Sequence, residues 1–337
     1  MHEYRGVMHI HSTYSDGKGC IEKIARAANK ARADFVILTD HNTMKAREDG
    51  HEGWHEHTLV LVGEEITPDT NADHYLAIDI ASAIVPSRDP AENVEAVRRQ
   101  GGIGIIAHPT GGAFVKGEYM EYPWTNWEAG PFSGIEVWNH VYDITGKAKN
   151  IFQLALYVLF PWMAPYGPEE GVVETWDYYV SQRGRRVVAV GGVDAHGIMS
   201  DYEDDFVTIS TYILTPDPFD GTFEHDSALV YAALREGRCF VGADKVADAS
   251  SFRCYVESGG ELVQMGGTAR LARGATLTAS SPRPGLIRVI HDGVPLAEEW
   301  GSSLVAGLDR RGAYRVEVKR KACGRYVPWI FGNHIYV

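Results

Sequence analysis

Cysteine is scarce in this chain and shows no pattern. The 337 residues include 4 Cys, and none of them forms a C-x-x-C or other paired spacing. Structural zinc knuckles and disulfide frameworks both depend on such spacings, so the sequence argues against both. We expect reduced thiols, and we expect any bound metal to be held by nitrogen and oxygen ligands.

Long apolar runs are equally rare. The most apolar segment, residues 151–164, is shorter than the roughly 20 residues that a helix needs to cross a bilayer, and Pro161 interrupts it. We expect it to form a buried helix, or a lid or dimer contact through Trp162 and Met163. The sequence before His9 lacks a signal-peptide pattern, so we expect a cytoplasmic protein that does not bind membranes.

Basic charge is also in deficit. The 32 Lys and Arg residues are outnumbered by 45 Asp and Glu, which gives a net charge of −13, and no basic cluster is interleaved with aromatic residues. A large nucleic-acid footprint is therefore disfavoured. The sequence also lacks a nucleophile elbow and a phosphate-binding P-loop. We expect a small molecule as the partner. The oligomeric state stays open, with a homo-oligomer among the alternatives.

Histidine, in contrast, occurs where apolar runs end. The first predicted strand ends in His9-Ile10-His11, and Asp16 follows in the next turn. Residues i and i+2 of a strand point to the same face, so His9 and His11 can close on one cation while Asp16 reaches in from the turn. This spacing predicts a metal site.

The same arrangement recurs at four further predicted strand ends. They are Asp40-His41 after FVIL, Glu64-Glu65 after LVLVG, His108 after GIGIIA, and Asp194-x-His196 after VVAVGGV. Continuous apolar runs of this kind are typical of parallel strands that helices cover on both faces. Helices are predicted at residues 20–33 and 90–100. Since active sites of parallel α/β folds lie at the carboxyl ends of the strands, the sequence predicts an α/β barrel with its site at these ends.

Six segments, in their order along the chain, resemble the motifs of the PHP (polymerase and histidinol phosphatase) superfamily. They are HIHSTYSDG, TDHNT, GEEIT, DHYLAI, IAHP and GGVDAHG. The resemblance covers roughly residues 5–243 and implies a distorted (β/α)7 barrel. The C-terminal GAYRVEVKRKACGRYVPWIFGNHIYV is similar to the carbaryl-hydrolase-like branch, in which a β-rich domain follows the barrel. That branch ends in Asn-Pro-Ile-Tyr, and His334 replaces the proline here.

The resemblance implies three divalent metal positions. The first would be held by His9, His11, Glu65 and Asp194; the second by Glu65, His74 and His108; the third by Asp16, His41 and His196. Glu65 would bridge the first two positions. The adjacent Glu64 is also competent as a ligand, and we prefer Glu65 because it directly precedes the Ile66-Thr67 pair.

The ligand types suit Zn, Mn or Fe, and they indicate the reaction class. Three divalent ions carry six positive charges, against four negative charges from Asp16, Glu65, Asp194 and a hydroxide. The net positive charge of the site favours a phosphorylated substrate. Metals about 3.5–4 Å apart can also bind the attacking and the leaving oxygen of an in-line displacement. A metal-activated water would be the nucleophile. The sequence thus predicts a metal-dependent phosphoesterase.

Two other functions remain open. The same ligands would serve a carbamate or amide hydrolase, because an activated hydroxide attacks carbonyl carbon as readily as phosphorus. A non-catalytic, metal-binding regulatory protein is the further alternative.

His140, after the strand-like GIEVW, is a candidate proton donor, unless it is a satisfied, partly buried histidine. The basic residues nearest the motifs are Lys45, Arg47, Lys116 and Arg186, which could meet a phosphate or simply be solvated.

One motif points to a different metal chemistry. His51-Glu52-Gly53-Trp54-His55 is a literal H-E-x-x-H, which on a helix would bind zinc in a metalloprotease. The segment before it is polar and Gly50 and Gly53 flank the first histidine, so no apolar face exists to bury such a helix. We expect a loop here.

The pattern of the chain changes near residue 243. Residues 1–243 are assigned to the barrel, with an insertion at about 116–179 that is rich in aromatic residues. From residue 251, short alternating runs are separated by Gly and Pro turns, which is typical of antiparallel sheets. We therefore predict a small C-terminal antiparallel β-sandwich domain at residues 244–337.

Overall fold

The computed structural model describes residues 1–70, 72–115, 118–144, 147–148, 150–160, 166–169, 171–322 and 324–337. Lys116, Trp162, Met163 and Cys323 lie outside these residues. The strands are β1 (His2–Ile10), β2 (Phe35–Leu38), β3 (Gly53–His55), β4 (Thr58–Val62), β5 (Glu64–Ile66), β6 (Tyr75–Ile78), β7 (Ile103–Ile106), β8 (Thr110–Val115), β9 (Glu118–Pro123), β10 (Gly134–Asn139), β11 (Val188–Gly192), β12 (Ser210–Thr215), β13 (Cys239–Gly242), β14 (Arg253–Ser258), β15 (Glu261–Gln264), β16 (Thr276–His291), β17 (Val294–Gly307), β18 (Ala313–Ala322), β19 (Arg325–Gly332) and β20 (Ile335–Tyr336). The helices are α1 (Ile21–Lys30), α2 (Lys45–Glu48), α3 (Pro90–Arg99), α4 (His140–Ile144), α5 (Ile151–Leu159), α6 (Val172–Ser181), α7 (Tyr202–Asp205) and α8 (Phe223–Glu236).

The fold is mixed α/β, and its strands belong mainly to two sheets. In the described part of the chain, 13 strands form one sheet, in which β1 lies between β12 and β2. β1 runs parallel to β2, and β2 runs parallel to β4. The second sheet has 5 strands in the order β11-β10-β7-β6-β5. The hairpin of β8 and β9 is separate from both sheets.

Single bridges connect the two sheets where their strands end. Ile10, the last residue of β1, bridges Ala195 just beyond β11, and His41 beyond β2 bridges Glu65 of β5. The His11 amide donates to the Ala195 carbonyl at 2.9 Å. The carboxyl ends of β1, β2 and β11 and the strand β5 therefore meet in one place.

Hydrophobic burial on both faces explains the central strands. In β2, Val36 and Leu38 pack into one apolar cluster, while Phe35 and Ile37 pack into another on the opposite face. The predicted helices are observed at nearly the predicted bounds, as α1 and α3. α3 begins with Asp89 as its N-cap and Pro90 in its first turn, which is the usual N-terminal signal.

The strands are less regularly parallel than the sequence predicts. β6 runs antiparallel to both β5 and β7. A parallel pairing of β5 and β6 would require a crossover of a dozen or more residues, and the link between Ile66 and Tyr75 is shorter than that. The YLAI run is buried on both faces without being parallel to its neighbours.

The C-terminal strands are antiparallel as predicted, but they do not form a sheet of their own. β19 pairs with β13, so the strands from β14 onward continue the sheet that contains β1. A buried ion pair also fastens this region to α6, because Arg315 of β18 donates two hydrogen bonds of 2.7 Å to Asp177. His334 lies 3.2 Å from the same carboxylate. His334 thus joins the buried polar contacts between the C-terminal strands and α6.

The apolar segment at residues 151–164 is described only in part. Its helix, α5, leaves Phe152 and Leu159 exposed at 83% and 69%, so the described part is not a buried helix. Trp162 and Met163, the residues of the expected lid or dimer contact, lie outside the described residues. Among the described residues, we find no helix with the length and apolar character needed to span a bilayer.

Candidate metal centre

An irregular backbone presents the first histidines. The pairing of β1 with β2 shifts register between Met8 and Ile10, and His9 between them has a φ of 62°. The regular alternation assumed from the sequence is therefore broken by a bulge, although the His9 and His11 rings still lie 5.2 Å apart. Asp194 and His108 also have positive φ values, 54° and 26°. Left-handed conformations at non-glycine residues are costly and concentrate at functional sites.

Four buried side chains converge at the ends of β1 and β11. The Nε2 atom of His9 lies 3.4 Å from Glu65 Oε2 and 3.3 Å from Asp194 Oδ1. The Nε2 atom of His11 lies 3.3 Å and 3.2 Å from the same two oxygens. Neither Nε2 atom has a hydrogen-bond partner among the described residues. Donor atoms around a tetrahedral zinc with bonds of about 2.0–2.1 Å are themselves about 3.4 Å apart, so these atoms fit a cation between them.

The second oxygen of Glu65 faces a different pair of histidines. Oε1 lies 2.7 Å from His74 Nδ1 and 3.3 Å from His108 Nε2. One carboxylate thus lies between two groups of candidate ligands. Glu64 points away from them and accepts the Ile84 amide at 2.7 Å. Burial raises the pKa of Glu64 to about 7, against the effect of that hydrogen bond.

A third group lies at a more open position. Asp16 Oδ1 is 3.3 Å from His196 Nε2 and 3.6 Å from His41 Nε2. The Asp16 side chain is 56% exposed, whereas those of Glu65 and Asp194 are 1% and 7% exposed. All nine predicted ligands therefore lie in one cluster, whose third group has access to solvent.

The three carboxylates of the cluster are ionised. Burial works against the charge on Glu65, but the surrounding imidazoles, led by that of His74, hold its pKa well below the usual range. The pKa of Asp194 is also lowered well below its usual range. Burial raises it, but the neighbouring imidazoles lower it more, and that of His9 has the largest effect. For Asp16 the imidazoles, led by His196, outweigh burial and lower the pKa to about 2. Three fixed negative charges in a largely buried cluster require positive charge nearby.

The pKa values of His11 and His196 are shifted in opposite directions. Burial lowers the pKa of His11 to about 4, so its nitrogen carries a free lone pair at neutral pH. For His196, the carboxylates of Asp16 and Asp194 outweigh burial and raise the pKa to about 9. Protons on such histidines supply positive charge when metals do not. Metal binding must displace these protons, so the affinity for metal will fall as the pH falls.

Three residues support the cluster in roles that the sequence did not reveal. Asp40 accepts hydrogen bonds of 2.7 Å from the Ser12 amide and hydroxyl, and it thereby fixes the turn that carries Asp16. Thr67 Oγ1 lies 2.7 Å from His41 Nδ1. Glu136 lies 2.9 Å from His9 Nδ1. An available signal for Glu136 was an acidic residue in the middle of the apolar run of β10, a strand that is fully buried.

His140, the predicted proton donor, lies at the start of α4. Its Nε2 atom is 3.8 Å from Asp205 Oδ1, and it belongs to none of the ligand groups among the described residues. Burial, with a contribution from Lys245, lowers its pKa to about 4. A neutral imidazole at pH 7 is poorly suited to protonate a leaving group, and the role of His140 stays a prediction. The Tyr142 ring packs closer to the cluster, 4.7 Å from that of His108.

Two of the four basic candidates for substrate binding, Arg47 and Arg186, have other partners. Arg47 pairs with Glu52 and also donates to the carbonyl of Val62 at 3.0 Å. Arg186 donates to the Gly266 carbonyl at 3.0 Å and to the Thr268 hydroxyl. Lys45 is exposed, and Lys116 lies outside the described residues.

The H-E-x-x-H segment has no helix. Residues 51 and 52 precede the short strand β3, so the two histidines do not share a helix face. Glu52 binds Arg47 at 2.6 Å and 3.0 Å and accepts the Val62 amide at 2.9 Å. His55 Nε2 lies 3.0 Å from the His51 carbonyl. Glu52 is thus a structural partner of Arg47.

Glu52→Gln will leave metal content and any hydrolytic rate within about twofold of the wild type. The change removes the charge that pairs with Arg47 but keeps an oxygen that can accept hydrogen bonds, and it touches none of the candidate metal ligands. His108→Ala, measured on the same substrate, will lose activity because it removes a candidate ligand. A general base of a metalloprotease would instead cost on the order of 10²–10⁴ in rate when removed. An inactive Glu52 variant beside an active His108 variant would overturn the assignment.

Comparisons with known proteins find distant likenesses. No family model matches the chain. An uncharacterized protein of Methanocaldococcus jannaschii is 29% identical over 114 residues, which are 30% of this chain and 66% of that protein. The chain therefore spans just under two thirds of the length of that relative.

Three solved structures are similar over larger shares of the chain. A two-domain Bacteroides vulgatus protein containing a predicted PHP-like metal-dependent phosphoesterase has a TM-score of 0.44 and 16% identity, covering 100% of this chain and 95% of that one. A predicted metal-dependent phosphoesterase of Bifidobacterium adolescentis has a TM-score of 0.33 and 15% identity, covering 60% and 93%. An amidohydrolase of Chromobacterium violaceum, with bound sulfate and no metal, has a TM-score of 0.32 and 12% identity, covering 57% and 87%. At such scores the function has to be argued from the site itself.

Proposed function

We propose that this protein is a metal-dependent hydrolase of the PHP superfamily and that it acts as a phosphoesterase. The observation that carries the proposal is the position of Glu65, whose two carboxylate oxygens face two different groups of buried histidines. The unpartnered Nε2 atoms of His9 and His11 support it, because buried polar atoms without partners are rare unless a ligand satisfies them. The motif order along residues 5–243 is the second support.

The proposed fold assignment follows the same residues. Residues 1–243 would form the distorted (β/α)7 barrel, with β4 and β5 as one interrupted strand, and residues 244–337 would form the second domain. The bridges from Ile10 to Ala195 and from His41 to Glu65 support closure of the two sheets around the ligands. The carbaryl-hydrolase-like branch remains a proposal that rests on the C-terminal sequence alone.

The cluster offers ligands for three divalent ions of Zn, Mn or Fe. The first would lie between His9, His11, Glu65 and Asp194, the second between Glu65, His74 and His108, and the third between Asp16, His41 and His196. When bound, such ions supply Lewis acidity and activate water at neutral pH. The protein groups orient these ligands, through Asp40 at the Asp16 turn and Thr67 at His41, and they exclude water from the buried side of the site.

Charge favours a phosphate ester as the substrate. Three divalent ions exceed the charge of the three carboxylate ligands, so an anionic substrate completes the balance. The exposure of Asp16 gives the substrate an approach to the third group. Tyr122 and Tyr142, whose rings pack 5.6 Å from His74 and 4.7 Å from His108, are placed to contact the organic part of the substrate. We propose a small phosphorylated molecule as the partner.

Hydrolysis of a carbamate or amide is the second candidate, because the same ligands can polarise a carbonyl group. A panel of phosphomonoesters, phosphodiesters, nucleotides and aryl carbamates, assayed with the metal-loaded protein and after chelation, separates the candidates. We expect turnover of at least one phosphate ester, and its loss on chelation. Turnover of carbamates alone would transfer the assignment to the second candidate. A metal-loaded protein that hydrolyses nothing in the panel would favour the regulatory alternative.

A further inference from the structure

Glu136 is a buried carboxylate that belongs to none of the ligand groups among the described residues. It lies in β10, and its side chain is 0% exposed. Oε1 lies 2.9 Å from His9 Nδ1. Oε2 accepts the backbone amide of His108 at 2.8 Å and the side-chain amide of Asn139 at 3.0 Å. One carboxylate thus contacts a candidate ligand of the first metal position and a candidate ligand of the second.

We infer that Glu136 is a positioning residue that orients His9 and His108 together for metal binding. The inference rests on the proposed metal site and adds a residue that neither the motifs nor the ligand groups contain. A carboxylate that is buried so completely is costly unless its oxygens accept hydrogen bonds. Three donors surround Glu136 and supply these hydrogen bonds.

The hydrogen bond to His9 determines which ring nitrogen can bind metal. A carboxylate only accepts hydrogen bonds, so His9 Nδ1 must carry the proton that it donates to Glu136. The lone pair is then left on Nε2, the atom that faces Glu65 and Asp194. Metal-bound histidines are oriented in this way by a partner on their other nitrogen.

The bond to His108 acts on the backbone. The φ of His108 is 26°, which is a rare conformation for a residue with a side chain. Its amide donates to Glu136 Oε2, and this bond helps to hold the strained residue in place. Because both effects come from one side chain, the two metal positions are mechanically linked through Glu136.

Gly192 at the end of β11 gives independent support. A Cβ atom on Gly192 would lie 1.9 Å from Glu136 Oε1 and 2.9 Å from the Cβ of His9. The contact between Glu136 and His9 therefore exists only because residue 192 has no side chain. The φ of Gly192 is not in the left-handed region, so its identity is explained by space and not by backbone freedom.

Glu136→Gln is a sharp test, because glutamine keeps the shape but cannot satisfy all three donors. If its oxygen faces His108 and Asn139, its NH₂ group faces His9 and forces the proton onto Nε2. If the oxygen faces His9, the NH₂ group opposes two donors. Either arrangement weakens metal binding, and partners of ligand histidines typically contribute roughly 10–100-fold to affinity.

The measurement is calorimetric titration of chelator-treated full-length protein with ZnCl₂, together with the absorption spectrum of the Co²⁺ form. We expect Glu136→Gln to weaken Zn²⁺ binding roughly 10–100-fold and to alter the Co²⁺ bands. Gly192→Ala should reproduce both changes by displacing the carboxylate. Glu64→Gln is the matched control, since Glu64 is equally buried and adjacent to Glu65 but bonds only Ile84. It should change neither readout.

Three outcomes separate the inference from the proposed function. If the wild type binds Zn²⁺ and Glu136→Gln binds it within twofold with an unchanged Co²⁺ spectrum, the inference is wrong and the metal site stands. If the wild type itself binds no Zn²⁺, the proposed function fails. A purely structural role would lower the unfolding midpoint of the metal-free variant without changing Zn²⁺ affinity, and that result also rejects the inference.

The double variant tests the contact with His9 directly. In a His9→Ala background, Glu136→Gln should reduce Zn²⁺ affinity by less than it does in the wild type, because the two changes share one interaction.

Discussion

Glu65→Gln will empty two metal positions at once and reduce hydrolysis on the order of 10³-fold or more, since metal ions supply several kcal/mol of transition-state stabilisation and each 1.36 kcal/mol is tenfold in rate. Its Oε2 atom faces His9 and His11, and its Oε1 atom faces His74 and His108. Glutamine offers one oxygen and no charge, so it cannot serve both groups. Metal content by elemental analysis and the rate on one substrate should fall together.

Glu64→Gln is the control for this prediction, because it changes the adjacent residue by the same atoms. Glu64 accepts the Ile84 amide on the side of β5 away from the histidines. We expect wild-type metal content and a rate within about twofold, because glutamine keeps an oxygen that can accept the Ile84 amide and the change touches none of the histidines. The opposite order, a harmless Glu65 variant and an inactive Glu64 variant, would transfer the bridging role to Glu64.

Asp194→Asn will have an effect of similar size through the first metal position alone. The carboxylate lies 3.3 Å from His9 Nε2 and 3.2 Å from His11 Nε2, and its charge is sustained by these imidazoles against burial. Asparagine preserves the volume and removes the charge, so a cation between these groups loses a ligand and a counter-charge. We expect loss of at least one metal equivalent and a fall in rate on the order of 10³.

The Asp194 variant should remain folded, because the substitution keeps the side-chain volume and leaves the buried apolar side chains of β2 and β11 unchanged. Circular dichroism and the unfolding midpoint of the metal-free variant check this point. His11→Ala should behave in the same way, since it removes a second ligand of the same position. Near wild-type turnover and metal stoichiometry in His11→Ala would contradict the assignment of this position.

The hydrophobic pattern of the sequence predicted the strand ends at which most members of the cluster lie, whereas His74 was predicted only from the family resemblance. Each predicted strand is a short apolar run, and the polar residue that ends it must lie at the edge of the sheet. His41, His108 and Asp194 therefore come together whatever the details of the backbone. Neighbouring residues of a strand point to opposite faces, so only one of Glu64 and Glu65 can meet the histidines. Alternation does not say which one, and the preference for Glu65 came from the family resemblance at Ile66-Thr67.

The backbone details and the supporting residues were not predictable in this way. His9 and His11 were expected to share a strand face by regular alternation, but the strand is irregular at His9, where the register shifts and φ is 62°. Glu136 acts across the sheet, from β10 to β1, and no local spacing relates it to His9. The continuity of the C-terminal strands with β13 depends on pairing between distant segments, which hydrophobic periodicity does not specify.

The most direct test of the metal centre is the metal content of the purified full-length wild type, grown in medium supplemented with Zn, Mn and Fe. Elemental analysis should give more than one and up to three divalent equivalents per chain, and a chelator should remove them together with the hydrolytic activity. The nine clustered candidate ligands include three carboxylates whose pKa values are lowered, and such a group of negative charges favours bound cations. A protein that carries less than one equivalent under these conditions would contradict the central claim.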